Sequence, residues 1–180
     1  MLQTIKQTND WNCGEAALAT ILQIPIDQAR SMLGRDCSTV IEGWAQDTAN
    51  DHGHPHIGIC APELVHALLT VDIGASQIMP RQAWRGSWVD RFWEDVYFPG
   101  KSEIEIMVWS RKWPAILGVP SLNYEDREHW IVVHQGLIYD PSRKRVYEPG
   151  DRPEIFEAVV VEPRSYSRWR LSHPYLPKEK

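Results

Sequence analysis

Between Cys13 and Leu22 the positions Ala16, Ala17, Leu18, Ile21 and Leu22 give good helix formers and an apolar face, so "CGEAALATIL" predicts a helix. Polar "KQTNDWN" leads into it, with Asn12 at the N-cap and Glu15 in the capping-box place. Pro25 is expected to close it. "DQARSMLG" predicts a second short helix ended by Gly34, and "STVIEGWAQDTAN" a third, capped by Ser38. "APELVHALLTV" predicts an amphipathic helix with Leu64, Ala67 and Leu68 on one face. "SEIEIMVWSRKW" reads two ways: Ile104 and Ile106 alternate as in a strand, while Ser102 with Glu105 could cap a helix, which is the preferred reading.

From Pro114 the period shifts towards two. "PAILGVP", "HWIVVHQ", "LIYDPS" and "EAVVVEP" are rich in branched and aromatic residues and bounded by Gly and Pro, so each predicts a strand. Helices therefore precede strands instead of alternating with them, which is segregated α+β. The expectation is a single domain over 1–180, mainly helical in 1–113 and mainly β in 114–170, with a loose tail at 171–180.

Composition adds constraints. A net charge of −5 gives no basic field for nucleic acid or anionic membranes. No apolar run approaches the roughly 20 residues of a membrane span, and no early segment has the form of a signal peptide. The 3 cysteines, Cys13, Cys37 and Cys60, lack framework spacing and point to free thiols in a reducing compartment, a cytoplasm.

Chemistry enters at Cys13. A helix N-terminus stabilises a thiolate through its unpaired N–H groups and the macrodipole, and Cys13 falls in the first turn of its helix. Gly14 permits close approach of another backbone or a substrate. The Cys13 N–H and the Gln7 side-chain amide, from the preceding loop, are candidate donors to an oxyanion. On this segment alone, a packed structural thiol beside a surface glutamine is an equal alternative.

The second cluster lies in "EHWIVVHQGLIYDPS". Two strands meet near His134, Gln135 and Gly136, and any loop of two or four residues puts His129 and Asp140 on the same sheet face. They are then opposite or one diagonal step apart. A carboxylate there can orient an imidazole and stabilise its charged form; the alternative is a surface cross-strand pair. His134 competes as a base but falls on the opposite strand face.

Gln, then Cys at a helix start, then His and a carboxylate on adjacent strands is the order of papain-like cysteine peptidases. Gln7, "NCGEAALATIL", "PAILGV", "HWIVVH" and "YDPS" resemble more closely the bacteriocin-processing, double-glycine-type branch. The resemblance implies a papain-like fold, its catalytic helix packed on a C-terminal antiparallel sheet. It implies Cys13 as nucleophile, His129 as general base and then acid, Asp140 as orienting group and Gln7 in the oxyanion hole. Gly14, Trp11 and Trp130 flank these residues and are assigned to substrate contact. A protein or peptide substrate follows, and neither metal nor organic cofactor is required. Asn12 departs from the family's usual Asp, and Glu15 brings a negative charge near the thiolate. Two alternatives keep the same residues: an acyltransferase or glutamine deamidase, and a non-catalytic peptide-binding module.

Other features are set lower. Asp51, His52, His54 and His56 in "DHGHPH" could grip zinc or nickel, but no matching Cys or His pair stands at fixed spacing, and a polar loop is preferred. Trp84, Trp88, Trp93, Trp109 and Trp113 could line a groove or form a lid; core packing is preferred. Cys37 and Cys60 read as structural thiols, and Arg143, Lys144 and Arg145 as a solvated turn.

Overall fold

The computed structural model describes residues 2–9, 11–34, 58–78, 109, 113–121, 128–143, 145–147 and 154–173. Its elements run α1 (Cys13–Leu22), α2 (Ile26–Leu33), α3 (Ala61–Leu69), β1 (Ala75–Ile78), β2 (Ala115–Pro120), β3 (Glu128–His134), β4 (Leu137–Asp140), β5 (Arg145–Tyr147), β6 (Glu157–Val161) and α4 (Pro163–Ser172). Among the described residues one 6-stranded sheet forms in the order β1-β6-β2-β3-β4-β5, and each pairing is antiparallel. The class is α+β, as the change of period implies.

The sheet has two apolar faces. Ile116, Trp130, Val132, Tyr139, Val159 and Val161 meet core residues of all four helices. Leu117, Val119, Ile131, Val133, Ile138 and Val160 form a second core with Trp109 and Trp113 packed against it. Burial on both faces explains why β2 and β3 read as nearly continuous apolar runs and not as clean alternation. It also places Trp109 and Trp113 against a core, as preferred. Trp84, Trp88 and Trp93 lie outside the described residues, as do the proposed third helix and "DHGHPH". So does "SEIEIMVWSRKW", apart from Trp109 and Trp113.

Helix α1 corrects the expectation of a single apolar face, because each of its residues is buried, Glu15 and Thr20 included. The alanines allow this: a helix of small side chains can lie close to a sheet and still take neighbours on its other sides. Thr20 Oγ1 accepts the Ile5 N–H at 2.9 Å. Gln23 brackets Gln3, accepting its N–H at 2.8 Å and donating to its carbonyl at 2.8 Å. The N-terminal segment is thereby strapped along α1, which delivers Gln7 beside the start of the same helix. The helix stops before Pro25, at Gln23, whose left-handed φ of 56° terminates it. Pro25 instead caps α2, which ends at Gly34 as expected.

Three elements differ from the sequence reading. β1 lies within the part expected to be helical. β5 forms at Arg145–Tyr147, so the basic cluster is partly strand, while Lys144 lies outside the described residues. The third is α4, which occupies Pro163–Ser172 where strand and then loose tail were expected. Pro163 suits the first helical turn, and the Glu162 carboxylate accepts the Arg164 and Ser165 N–H groups at 2.8 and 2.6 Å. α4 is tied down by the Tyr166 hydroxyl, which donates to the Ile21 carbonyl at 3.0 Å. No helix among the described residues is long and apolar enough to cross a membrane.

Candidate active site

The β3–β4 hairpin sets the first half of the site. Its turn is the two residues Gln135 and Gly136, with φ of 55° and 78°; this doubly left-handed pair matches the strand twist. The register pairs Val132 with Tyr139 and Val133 with Ile138. Continued one residue, it sets Asp140 against Ile131 and hence one diagonal step from His129 on the same face. The contact is made: His129 Nε2 lies 2.9 Å from Asp140 Oδ1.

Asp140 is itself fixed. Its Oδ1 accepts the Ser142 N–H at 2.9 Å and the Ser142 hydroxyl at 2.7 Å, an Asx turn through Pro141. Arg143 Nε stands 3.9 Å from Oδ2, so this arginine of the basic cluster faces the site's carboxylate. Burial by itself would raise the Asp140 pKa, but the bonds from His129 and Ser142 and the imidazolium charge hold it below its usual value.

Helix α1 supplies the second half. Cys13, 8% exposed, opens the helix and lies near enough to His129 to raise the pKa of the imidazole. With Nε2 bonded to Asp140, Nδ1 is the ring nitrogen left for another partner. Burial pulls the His129 pKa down. The hydrogen bonds and negative charges of Asp140 and Cys13 outweigh it and raise the pKa to about 9. His129 is therefore an imidazolium at neutral pH, beside the Asp140 carboxylate and near the Cys13 sulfur.

Asn12 occupies the N-cap position but makes no side-chain cap, which corrects the capping-box expectation. Its Oδ1 accepts the Thr8 and Asn9 N–H groups at 3.1 and 3.3 Å, and its amide donates to Thr8 Oγ1 at 2.8 Å and Glu15 Oε2 at 3.3 Å. The side chain that would ordinarily satisfy an N–H of the first turn is thus used to fold the 8–12 loop. A thiolate or oxyanion can then draw on those donors. An aspartate at position 12 could not donate to Glu15 as the Asn12 amide does.

Gln7 sits across the site: its N–H donates to the Pro141 carbonyl at 3.1 Å, joining the loop before α1 to the turn after β4. Its Nε2 donates to the Asn9 carbonyl at 3.0 Å, which leaves the second amide hydrogen for another acceptor. Trp11, half-buried at the rim, has its N–H tied to Asn9 Oδ1 at 2.9 Å.

Two residues expected at the substrate, Trp130 and Gly14, lie against the protein's own chain. Trp130 is in the core, 4% exposed, with its indole N–H donated to the Ile59 carbonyl at 2.9 Å. Gly14 admits the protein's own chain: a Cβ there would stand 2.8 Å from Ile59 Cβ and 3.3 Å from Trp130 Cδ1. Ile59 Cβ is fixed close to its backbone and cannot swing away. Gly14→Ala is therefore expected to destabilise the protein by about 1–3 kcal/mol through overpacking, offset in part by better helix propensity. Urea denaturation of the two proteins checks it.

His134 stands apart from this cluster. It packs edge-on to Tyr166 at 5.7 Å, and burial, with the Arg170 charge, lowers its pKa to about 4. Cys60 is exposed and caps α3 opposite Glu63; Cys37 lies outside the described residues. Among the described residues no group of three His, Cys, Asp or Glu could hold a metal. Sequence reasoning missed Ser142 and Arg30. The "DPS" string carries an Asx-turn signal for the first, whereas no local pattern marks the second.

No protein-family model matches the chain, and no curated protein does. Among solved structures the chain is similar to a double glycine motif protease from an AMS/PCAT transporter, determined in complex with the leader peptide. The likeness has a TM-score of 0.53 at 16% sequence identity, covering 91% of this chain and 92% of the other. At this identity the likeness concerns the fold alone, an α+β architecture shared over most of both chains.

Proposed function

We propose that the protein is a papain-like cysteine peptidase of the double-glycine type, one domain over 1–180, acting on a peptide or protein in a reducing compartment. The observation that carries this reading is His129 held between Cys13 and a buried, hydrogen-bonded Asp140. The fold likeness to a protease solved with a bound peptide supports a peptide substrate.

In this scheme the Cys13 thiolate attacks a carbonyl carbon, forming the C–S bond and moving the C=O electron pair onto oxygen. The Cys13 N–H and the Gln7 amide donate to that oxyanion. Its collapse expels the amine, which takes the proton of the His129 imidazolium. His129 then removes a proton from water as it attacks the thioester, and the acid product leaves as the thiolate–imidazolium pair re-forms. Each cycle consumes one amide bond and one water, releases an amine and an acid, and restores Cys13 and His129. Acyl transfer or deamidation would use the same parts with a different acceptor or substrate.

The test is pH-dependent alkylation of Cys13 by iodoacetamide, read by intact mass and peptide mapping, with peptide-library cleavage by wild type and Cys13→Ala. Selective reaction well below the free-thiol pKa of about 8.5, with cleavage lost in Cys13→Ala, is the expected result. A Cys13 that titrates as an ordinary thiol overturns the reading and favours the binding module.

A further inference from the structure

Glu15 poses a problem for the proposed nucleophile. It is fully buried in the first turn of α1, two residues beyond Cys13. A carboxylate there competes with a thiolate for the same positive helix end, and burial lets its charge act at longer range than in water. α2 supplies the answer. Arg30 Nη2 and Nε approach Glu15 Oε2 at 3.1 and 3.3 Å, and Arg30 Nη1 is held by Asp27 Oδ1 at 3.2 Å. The Asn12 amide donates to the same oxygen at 3.3 Å.

We infer that Arg30 is a positioning residue for the nucleophile, its guanidinium cancelling the buried Glu15 charge that would otherwise oppose the Cys13 thiolate. This rests on the peptidase reading and adds to it a residue from a different helix. Among the described residues, β3 and β2 are the strands packed against α1. Glu128 and His129 come from β3, Asp140 and Arg143 from β4 and its following turn, and β2 contributes none. Arg30 neutralises charge on the nucleophile's own helix.

Asn12 belongs to the same device. An aspartate at this position would set a second carboxylate against Glu15 within hydrogen-bond distance, more negative charge than one guanidinium cancels. The pairing of asparagine at 12 with glutamate at 15 and arginine at 30 is a consistent set.

The experiment is the pH profile of Cys13 alkylation in wild type, Arg30→Gln, Arg30→Lys, Glu15→Gln and the double variant Glu15→Gln/Arg30→Gln. Arg30→Gln should raise the midpoint by on the order of one pH unit, and Arg30→Lys should restore most of that. The double variant should return to the wild-type midpoint although the ion pair is gone, an outcome that a merely structural link between α1 and α2 would not give. If Arg30→Gln does not fold, Glu15→Gln decides alone, because an uncompensated Arg30 should lower the midpoint. A shifted wild-type midpoint that none of the folded variants moves overturns this inference and leaves the peptidase reading standing. A wild-type Cys13 that titrates as an ordinary thiol overturns both.

Discussion

His129→Ala is expected to reduce turnover by at least about 10⁴-fold, in line with removal of a group that acts as a unit with its nucleophile. The same change should move Cys13 alkylation upward, towards the ordinary thiol range near a pKa of about 8.5. It should not reach that value fully, since the N–H groups of α1 remain available when Asn12 is turned away from them. The residual shift would measure the helix end by itself. His134→Ala is the matched control, for that ring packs on Tyr166 and is kept neutral by burial and Arg170. Its loss should leave the alkylation profile where it was. If His134→Ala and not His129→Ala changes Cys13 reactivity, the assignment of the base is wrong.

The helical first turns and the central strands were legible because their causes are local. Apolar spacing in "CGEAALATIL" and the branched runs of β2, β3 and β6 are decided within about ten residues. Parity along the β3–β4 hairpin gave the His129–Asp140 pair without knowledge of the rest of the fold. A two-residue turn settled which of the two allowed offsets occurs. α4 escaped because "PRSYSRWRLS" has few apolar positions, and its anchors, Tyr166 and Trp169, bind carbonyls at the far end of α1. β1 escaped because its four residues of weak strand character pair with β6, far along the chain.

The site shows the same division. Cys13, His129, Asp140 and Gln7 carry chemistry that a residue type announces. Trp130 and Gly14 do not, and were placed at the substrate because Ile59, which covers them both, returns from a segment with no visible link to α1. Asn12 was read as a cap because a cap is its commonest use before a helix. Three neighbours, Thr8, Asn9 and Glu15, outcompete that use here. Glu15 looked like a defect because its partner Arg30 stands on another helix. Side chains whose role depends on a distant partner are the ones that a linear pattern misassigns.

Asp140→Asn separates charge from orientation at the imidazole. Oδ1 of asparagine can still accept from His129 and from Ser142, so the ring should keep its position. At neutral pH the loss of turnover should therefore be smaller than in Asp140→Ala, which also frees the ring and should lose about 10²–10⁴-fold. The charge is a different matter. Burial lowers the His129 pKa, and the bonds and charges of Asp140 and Cys13 lift it to about 9 against an ordinary 6.5. Deleting the carboxylate removes part of the lift and leaves the burial, so the pKa must fall. The alkaline limb of kcat/KM, near pH 9 in wild type, should move down by at least about one unit in Asp140→Asn. Stability follows the same sign. A pKa raised in the folded state contributes stability that is complete below 6.5 and lost as pH rises through 9. Wild type should therefore lose part of its advantage over Asp140→Asn in denaturant midpoint as pH is raised through that window. The depressed Asp140 carboxyl acts oppositely, its contribution present above its unfolded value of 3.8 and lost as pH falls. An alkaline limb that stays near pH 9 in Asp140→Asn would mean that Asp140 holds the ring in place without holding its proton.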